Sequence, residues 1–288
     1  MNFRTRFAPS PTGPLHLGHA YSALLAFDTA QAEEGEFFLR LDDIDQSRSR
    51  DSWADQIEDD LRWLGLRWPE PVWRQSQRLT RYREALHRLW DIGLLYPCAC
   101  TRADIRAAAQ APQEGAPLQG PDGVIYPGTC RQEQPSTGPL PDVALRLNMA
   151  AALERLDAPL SFIENGKFKQ TRMVRPENMV TQVGDVALAR PGMGASYHLS
   201  IVCDDFDQKI SHVIRGEDLF DATQIHVLLQ RLLGFDTPVY HHHRLIRDNT
   251  GKRLAKRDDA RAIATYREAD KTPNEVRGMV GLNPPSAS

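Results

Sequence analysis

No stretch of this sequence approaches the roughly 18 consecutive apolar residues that a membrane-spanning helix requires. The opening residues, Met1 to Arg4, run straight into a candidate strand and lack the apolar segment of a secretion signal. A cytoplasmic location is therefore expected. Cysteine is scarce: four residues in a chain of 288 exclude a disulfide framework as the source of stability. An excess of positive charge is also missing. Thirty-five Lys and Arg against 38 Asp and Glu give a net charge of −3, which argues against a surface that grips nucleic acid everywhere. A local basic patch stays open, because a few well-placed cations are enough to hold phosphates. There is no internal repeat. What remains, 41% hydrophobic and 25% charged residues, is the composition of a soluble globular chain of one large domain or two modest ones.

Residues 3–8 alternate apolar and polar side chains as a short strand does. A Pro/Ser/Thr/Gly turn follows at Pro9 to Pro14, and an Ala-rich helix runs from about Leu17 to Gln31, stopping near Gly35. Glu36 to Leu41 reads as a second strand. Ser49 or Asp51 is placed to cap the next helix, whose stripe is Trp53, Ile57, Leu61 and Leu64, with Gly65 beyond its end. A further helix carries Tyr82, Leu86, Leu89 and Trp90 and ends at Gly93. This alternation predicts an α/β fold, a Rossmann-like parallel sheet with helices on its faces and a ligand at the carboxyl ends of the strands. From Cys98 to Arg190 the regularity fails and Pro and Gly cluster, which reads as an inserted subdomain. Ser200 to Cys203 and His212 to Ile214 look like strands, and about Asp218 to Leu233 like a helix. The expected organisation is a catalytic domain from 1–97 and 191–258, an insertion over 98–190, and a short tail over 259–288 whose Pro/Ser end frays.

Five motifs carry chemistry. The first is RFAPSPTGPLHLGH over residues 6–19. Two histidines three apart share a helical face, and by themselves they read as a capped helix start or a weak metal site. Strand, rigid turn and helix start together make a place where backbone N–H groups and the helix dipole face an anion. Gly18 is read as letting a nucleotide approach the backbone. The second is RLDDID over residues 40–45, whose bland reading is a solvated acidic turn. The third is YHLSIVCDD from Tyr197, followed by VIRGEDL from Val213. The fourth is the basic run RLAKR over residues 253–257. The fifth is Cys98, Cys100, Tyr126 and Cys130; three thiolates alone leave a four-coordinate metal site one ligand short, so free buried cysteines are the alternative.

The first motif resembles the signature of the glutamyl group of class I aminoacyl-tRNA synthetases. That resemblance implies that His16 and His19, with Gly18, hold the triphosphate of ATP, and that Arg6, Ala8 and Ser10 contact the amino acid. Asp42 falls where the glutamyl pattern has Glu, one methylene longer, and would receive the α-ammonium. Tyr197 and Arg215 match the positions that hold the substrate. A guanidinium fork suits a γ-carboxylate gripped by two hydrogen bonds better than a carboxamide, so the two favour glutamate over glutamine. Residues 253–257 resemble a degraded K-M-S-K-S loop in which Lys256 survives as the lysine expected to neutralise the triphosphate.

The cysteine set with Tyr126 resembles the zinc site of the glutamyl-Q tRNA(Asp) synthetase family, which implies a structural Zn²⁺ on Cys98, Cys100, Tyr126 and Cys130. Cys203 is assigned to the core. Only 32 residues follow Lys256 (288 − 256), too few for a helical anticodon-binding region. The resemblance implies ATP with Mg²⁺, activation of glutamate without tRNA, and transfer to queuosine in the anticodon of tRNA(Asp), by a monomer. A glutamyl-tRNA synthetase paralogue, a non-catalytic RNA-binding module and a small-molecule nucleotidyltransferase stay open as alternatives.

Overall fold

The structure, a computed structural model, describes residues 2–109, 119–131, 138–166, 169–247 and 261–283. The chain opens as β1 (Arg4–Phe7), α1 (Leu17–Ala32), β2 (Glu36–Leu41), α2 (Asp51–Trp63), β3 (Trp73–Arg74) and α3 (Leu79–Asp91). β1 pairs with β2 and β2 with β3, both in parallel. Small side chains explain how α1 sits against this sheet: Ala20, Ala23, Ala26 and Ala30 are completely buried, and their lack of bulk lets helix and strand backbones approach. α2 buries Ala54, Ile57 and Leu61, the spacing of one helical face. Neither Ser49 nor Asp51 caps it. Arg50 occupies the cap position in an extended conformation with no side-chain cap bond, and Asp51 is already helical, where its charge faces the positive end of the helix dipole and Arg74 at 2.7 Å.

The middle of the chain forms β4 (Leu95–Pro97), α4 (Arg102–Ala109), the hairpin β5 (Gln119–Gly120) and β6 (Gly123–Val124), β7 (Leu145–Leu147), α5 (Met149–Glu154), β8 (Ser161–Glu164), β9 (Gln170–Met173), the single turn α6 (Pro176–Asn178) and β10 (Ala187–Ala189). β4, β7 and β10 make an antiparallel sheet in the order β10-β7-β4. β8 returns to the main architecture, lying parallel to a later strand through Tyr240 and Glu164. One hydrophobic cluster runs from Leu86, Leu89 and Leu95 through Leu145, Phe162 and Leu188 to Leu199, Val202 and Val213. Packing is thus continuous between residues 98–190 and the segments on either side.

The last third comprises α7 (Tyr197–Asp207), β11 (His212–Gly216), α8 (Thr223–Leu233), β12 (Val239–His243), α9 (Ile263–Glu268) and α10 (Pro273–Met279). β11 abuts β1, with the Ser211 N–H donating to Arg4 O at 3.0 Å, and pairs in parallel with β12. The strand expected at Ser200 to Cys203 is instead the middle of α7. Every residue from His198 to Asp205 is buried, so this helix has no solvent face to give it a 3.6-residue period, and its apolar run reads equally well as a strand. α8 ends at Gly234, whose left-handed φ of 69° closes the helix. The carboxy-terminal segment packs more firmly than a loose tail. Thr272 and Glu275 form a capping box on α10, Ile263 and Val276 join the core of α1, and Arg277 pairs with Asp28. The frayed end expected beyond residue 283 lies outside the described residues. Among the described residues, no helix is long and apolar enough to cross a membrane.

Candidate active site

The turn after β1 delivers His16 to the start of α1. There the His16 ring accepts from Gly18 N through Nδ1 at 3.1 Å, while His19 Nδ1 accepts from His16 N at 3.2 Å. The two imidazoles stack with centroids 3.8 Å apart. Two ring nitrogens are thus spent on capping amide donors, which fixes both rings at the positive end of a 16-residue helix. Gly18 also has a steric reason. A Cβ there would come within 3.0 Å of the His16 ring, so glycine makes room for the stacked pair. Ala262, on the far side of the basic run, bridges to His16, and Ile263 N donates to Leu15 O at 2.8 Å. Lys256 itself lies outside the described residues.

Arg6, predicted to touch the amino acid, is 4% exposed and grips Asp205 with two hydrogen bonds, Nε–Oδ1 at 3.0 Å and Nη2–Oδ2 at 3.3 Å. Arg40 is completely buried and reaches Asp205 at 3.0 Å, Gln208 at 2.9 Å, Asp42 at 3.3 Å and Asp204 at 3.5 Å. Asp204 is held further by Arg78, Gln75 and the Tyr82 hydroxyl. Burial lifts the Asp42 carboxyl to about 7; Arg40 and Arg6 pull it down and Asp204 pushes it up. The Asp42 N–H donates to Pro9 O at 3.0 Å, tying the end of β2 over the turn. Along that turn Ala8 is half-buried, and exposed Ser10 uses its carbonyl to accept from Thr12 N.

Tyr197 begins α7, and its hydroxyl is raised above the usual tyrosine range by burial, with Arg215 and Arg6 opposing and Asp42 and Asp205 reinforcing the shift. Arg6, Asp42 and Arg215 stand at the carboxyl ends of β1, β2 and β11, the end at which ligands bind such sheets, and all three are close enough for their charge to act on the Tyr197 hydroxyl. Arg215, 5% exposed, sends Nε to His242 at 3.2 Å, Nη1 to His226 at 3.1 Å, and Nη2 to Thr223 Oγ1 at 2.8 Å and Leu219 O at 3.3 Å. A guanidinium has five N–H groups. Four are engaged among the described residues, leaving one on Nη1. A separate cavity of about 1250 Å³ opens where β1, β11 and β12 begin, lined by Phe3, Arg4, His212 and Val239, and contains none of the predicted site residues.

The cysteine cluster is a second centre. The sulfurs of Cys98, Cys100 and Cys130 lie within 4.8 Å of one another, and the Tyr126 hydroxyl is 3.5 Å from Cys98 and 3.4 Å from Cys100. Tetrahedral thiolates at about 2.3 Å from a metal lie roughly 3.8 Å apart, so this spacing fits an ion with Tyr126 at the fourth corner. Arg146 adds a cation, donating to Cys98 Sγ at 3.3 Å and stacking over the Tyr126 ring at 3.8 Å. The Cys130 thiol is lowered to about 7, chiefly by its hydrogen bond with Tyr126, whereas Cys100 is raised. Cys203 is fully buried in α7, where burial pushes its thiol up to about 12 and makes it inert.

The family profile described as tRNA synthetases class I (E and Q), catalytic domain, matches residues 2–128 and 164–283. The glutamyl-Q tRNA(Asp) synthetase of Rhodobacter capsulatus is 58% identical over 281 residues, covering 96% of this chain and 99% of its own length. This chain belongs to that family. The Symbiobacterium thermophilum member is 38% identical, over 95% of this chain and 84% of its own. A glutamate tRNA ligase from Elizabethkingia meningosepticum, solved in complex with its amino acid, superposes with a TM-score of 0.76 at 27% identity. The match covers 98% of this chain and 61% of that ligase. The Mycobacterium tuberculosis methionyl-tRNA synthetase, at 12% identity and a TM-score of 0.61, shares the fold.

Several residues in this glutamyl-Q tRNA(Asp) synthetase family member escaped sequence reasoning. Asp204 and Asp205 were visible only as part of a motif, yet they anchor three arginines. His226, His242 and Glu164 surround or support Arg215 and left no spacing rule to read. Their trace in the sequence is a polar residue beside apolar neighbours: His226 between Ile225 and Val227 in α8, and Glu164 after Phe162 and Ile163 in β8.

Proposed function

We propose that this chain activates glutamate with ATP to give glutamyl-adenylate and pyrophosphate, without tRNA, and then transfers the glutamyl group to queuosine in the anticodon of tRNA(Asp). One observation supports the glutamate reading above the others: a buried arginine, Arg215, that makes no ion pair among the described residues, keeps one N–H of Nη1 unspent and lies close enough for its charge to act on Tyr197. A buried cation without a counter-charge is costly, and a substrate carboxylate supplies one. The α-ammonium goes to Asp42, with Arg6, Ala8 and Ser10 shaping the floor.

In the first step the α-carboxylate oxygen attacks the α-phosphorus of ATP, and pyrophosphate leaves with the electron pair of the broken P–O bond. His16 and His19, with Gly18 at the helix start and Lys256, stabilise the charge that develops on the triphosphate; none forms a covalent bond. Mg²⁺ accompanies ATP. In the second step a queuosine hydroxyl attacks the adenylate carbonyl and AMP leaves. Zn²⁺ on Cys98, Cys100, Tyr126 and Cys130 holds the insertion together and has no open position for substrate. The enzyme acts as a cytoplasmic monomer. The test is glutamate-dependent ATP–pyrophosphate exchange without tRNA, followed by glutamate transfer to tRNA(Asp) with and without queuosine. Exchange in the absence of tRNA and transfer only to the queuosine-containing tRNA are expected; transfer to an ordinary acceptor end overturns the choice of acceptor.

A further inference from the structure

The buried arginines of this protein fall into two kinds. Arg6 and Arg40 face the carboxylates of Asp205, Asp204 and Asp42, and Arg277 faces Asp28. Arg215 is equally buried but is met by neutral acceptors. Two histidines carry most of this shell, and their hydrogen bonds fix their tautomers. Arg215 Nη1 can only donate, so His226 Nδ1 must accept at 3.1 Å. The His226 hydrogen then sits on Nε2 and goes to His198 Nδ1 at 3.1 Å. His198 in turn donates from Nε2 to Asp122 Oδ1 at 3.1 Å. The direction of the chain is held jointly from its two ends, by a cation that only donates and a carboxylate that only accepts, and loss of the carboxylate opens the reverse tautomers at the cost of the single Arg215–His226 bond. On the other side, His242 Nε2 accepts from Arg215 Nε at 3.2 Å, while its Nδ1–H donates to Glu164 at 2.5 Å. Burial and the neighbouring guanidinium hold both rings neutral, His226 far below the usual histidine range and His242 at about 4.

We propose that His226 and His242 are positioning residues that orient Arg215 without neutralising it, and that Asp122, acting through His198, locks His226 in the tautomer this requires, so that the pocket selects an anionic side chain over a neutral one. This rests on the reading that Arg215 meets the substrate side chain. The physical case is one of charge. A carboxylate in the place of either histidine would satisfy the guanidinium, repel glutamate and remove the disadvantage of glutamine. A neutral imidazole supplies a directed lone pair and leaves the net positive charge for the ligand. Asp122 lies in the turn between β5 and β6, four residues before Tyr126 in sequence. The insertion that carries the cysteine cluster thus reaches into the amino-acid pocket through two imidazole rings.

The experiment measures glutamate- and glutamine-dependent ATP–pyrophosphate exchange with the full chain. His226→Asp is expected to raise KM for glutamate at least about tenfold, the scale of losing one charge-assisted hydrogen bond, with KM for ATP unchanged and the preference over glutamine reduced. His226→Ala is expected to raise KM for glutamate as well. His226→Asn, whose Oδ1 stands near the place of Nδ1, should recover most of that loss. Asp122→Ala alters a partly exposed turn and spares the core, so it reports the lock even if His226→Asp fails to fold. It should raise KM for glutamate several-fold and move the His226 ring nitrogens off the single-tautomer pattern in ¹⁵N-imidazole spectra. Wild-type selectivity in His226→Asp, or equal damage in His226→Asn and His226→Ala, overturns the proposal. So does an unchanged tautomer in Asp122→Ala. Arg215→Gln separates the two levels: if it leaves glutamate selectivity intact, the reading of Arg215 fails; if it destroys selectivity while His226→Asp does not, only the role of the histidines fails.

Discussion

Replacing Asp42 with Asn should make the folded protein more stable and the enzyme worse. Asp42 is 7% exposed, and burial is the main reason its carboxyl titrates at about 7. In the unfolded chain the same group titrates near ~3.9. Between those values the folded state keeps a proton that the unfolded state releases, so wild-type stability falls as pH rises through this window. Three units at about 1.4 kcal/mol each give a ceiling of about 4 kcal/mol, and relaxation around the network makes about 2–4 kcal/mol the working range. Asn carries no charge at any pH and can still accept from Arg40 Nε, which lies 3.3 Å from Asp42 Oδ1. Urea unfolding at pH 5, 6, 7 and 8 should therefore show Asp42→Asn gaining on the wild type with each step and levelling off above pH 7. The same variant should bind glutamate poorly at every pH, because it offers the α-ammonium no anion. In the wild type, KM for glutamate should rise as pH falls below about 7. A stability difference that is flat from pH 5 to 8, or one that shrinks as pH rises, refutes this account of the buried carboxyl.

His19→Ala should cost about 2–4 kcal/mol of transition-state stabilisation in pyrophosphate exchange. Because His19 also accepts from His16 N, the variant should lose about 1 kcal/mol of folding stability; a stability loss with normal exchange would assign the ring to capping alone. Metal analysis of protein purified without chelators should find about one Zn²⁺ per chain, and Cys100→Ser should lower zinc content and melting temperature before it lowers exchange. Zinc-free protein of full stability would remove the metal from the account. Asp42→Glu should change KM for glutamate and leave the glutamate/glutamine ratio nearly fixed, whereas Arg215→Gln should collapse that ratio. Reversal of the preference by Asp42→Glu alone would show that the two ends of the substrate are assigned the wrong way round.

The elements that could be read from the sequence are those with one wet face or a distinctive boundary. α1 and β2 fall where period and turn residues put them, since Gly35 stops the helix and the strand begins at once. α7 could not be read, because a helix enclosed on all sides looks like any apolar run. The same limit governs the site. Arg6, Asp42, Tyr197 and Arg215 stand out through motifs, and the Tyr197 hydroxyl feels the charge of the other three. Their partners do not stand out, because Asp205 meets Arg6 across 199 positions and His242 meets Glu164 across 78. Long-range pairing leaves no local spacing, only a polar residue where an apolar one would pack as well. Gly18 carries a second constraint that its sequence context does not show: a Cβ there would meet the His16 ring.

The distribution of buried charge around the pocket follows a division of labour. Arg40 and Arg6 share Asp205, and Arg40 and Arg78 share Asp204, so these arginines are spent on holding β1, β2, α3 and α7 together. A cation with its counter-charge already in hand is drawn less strongly to a further carboxylate, although Arg6, which uses only Nε and Nη2 on Asp205, keeps donors for a ligand. Among the described residues Arg215 meets imidazoles, a hydroxyl, a carbonyl and the face of the Tyr240 ring, and makes no direct ion pair. Asp42 is the converse case, a carboxyl whose burial makes ionisation costly until an ammonium arrives. A doubly charged amino acid, with an ammonium at one end and a γ-carboxylate at the other, relieves both strains at once. Glutamine would relieve only the first, and on the proposed assignment the difference between the two falls at Arg215.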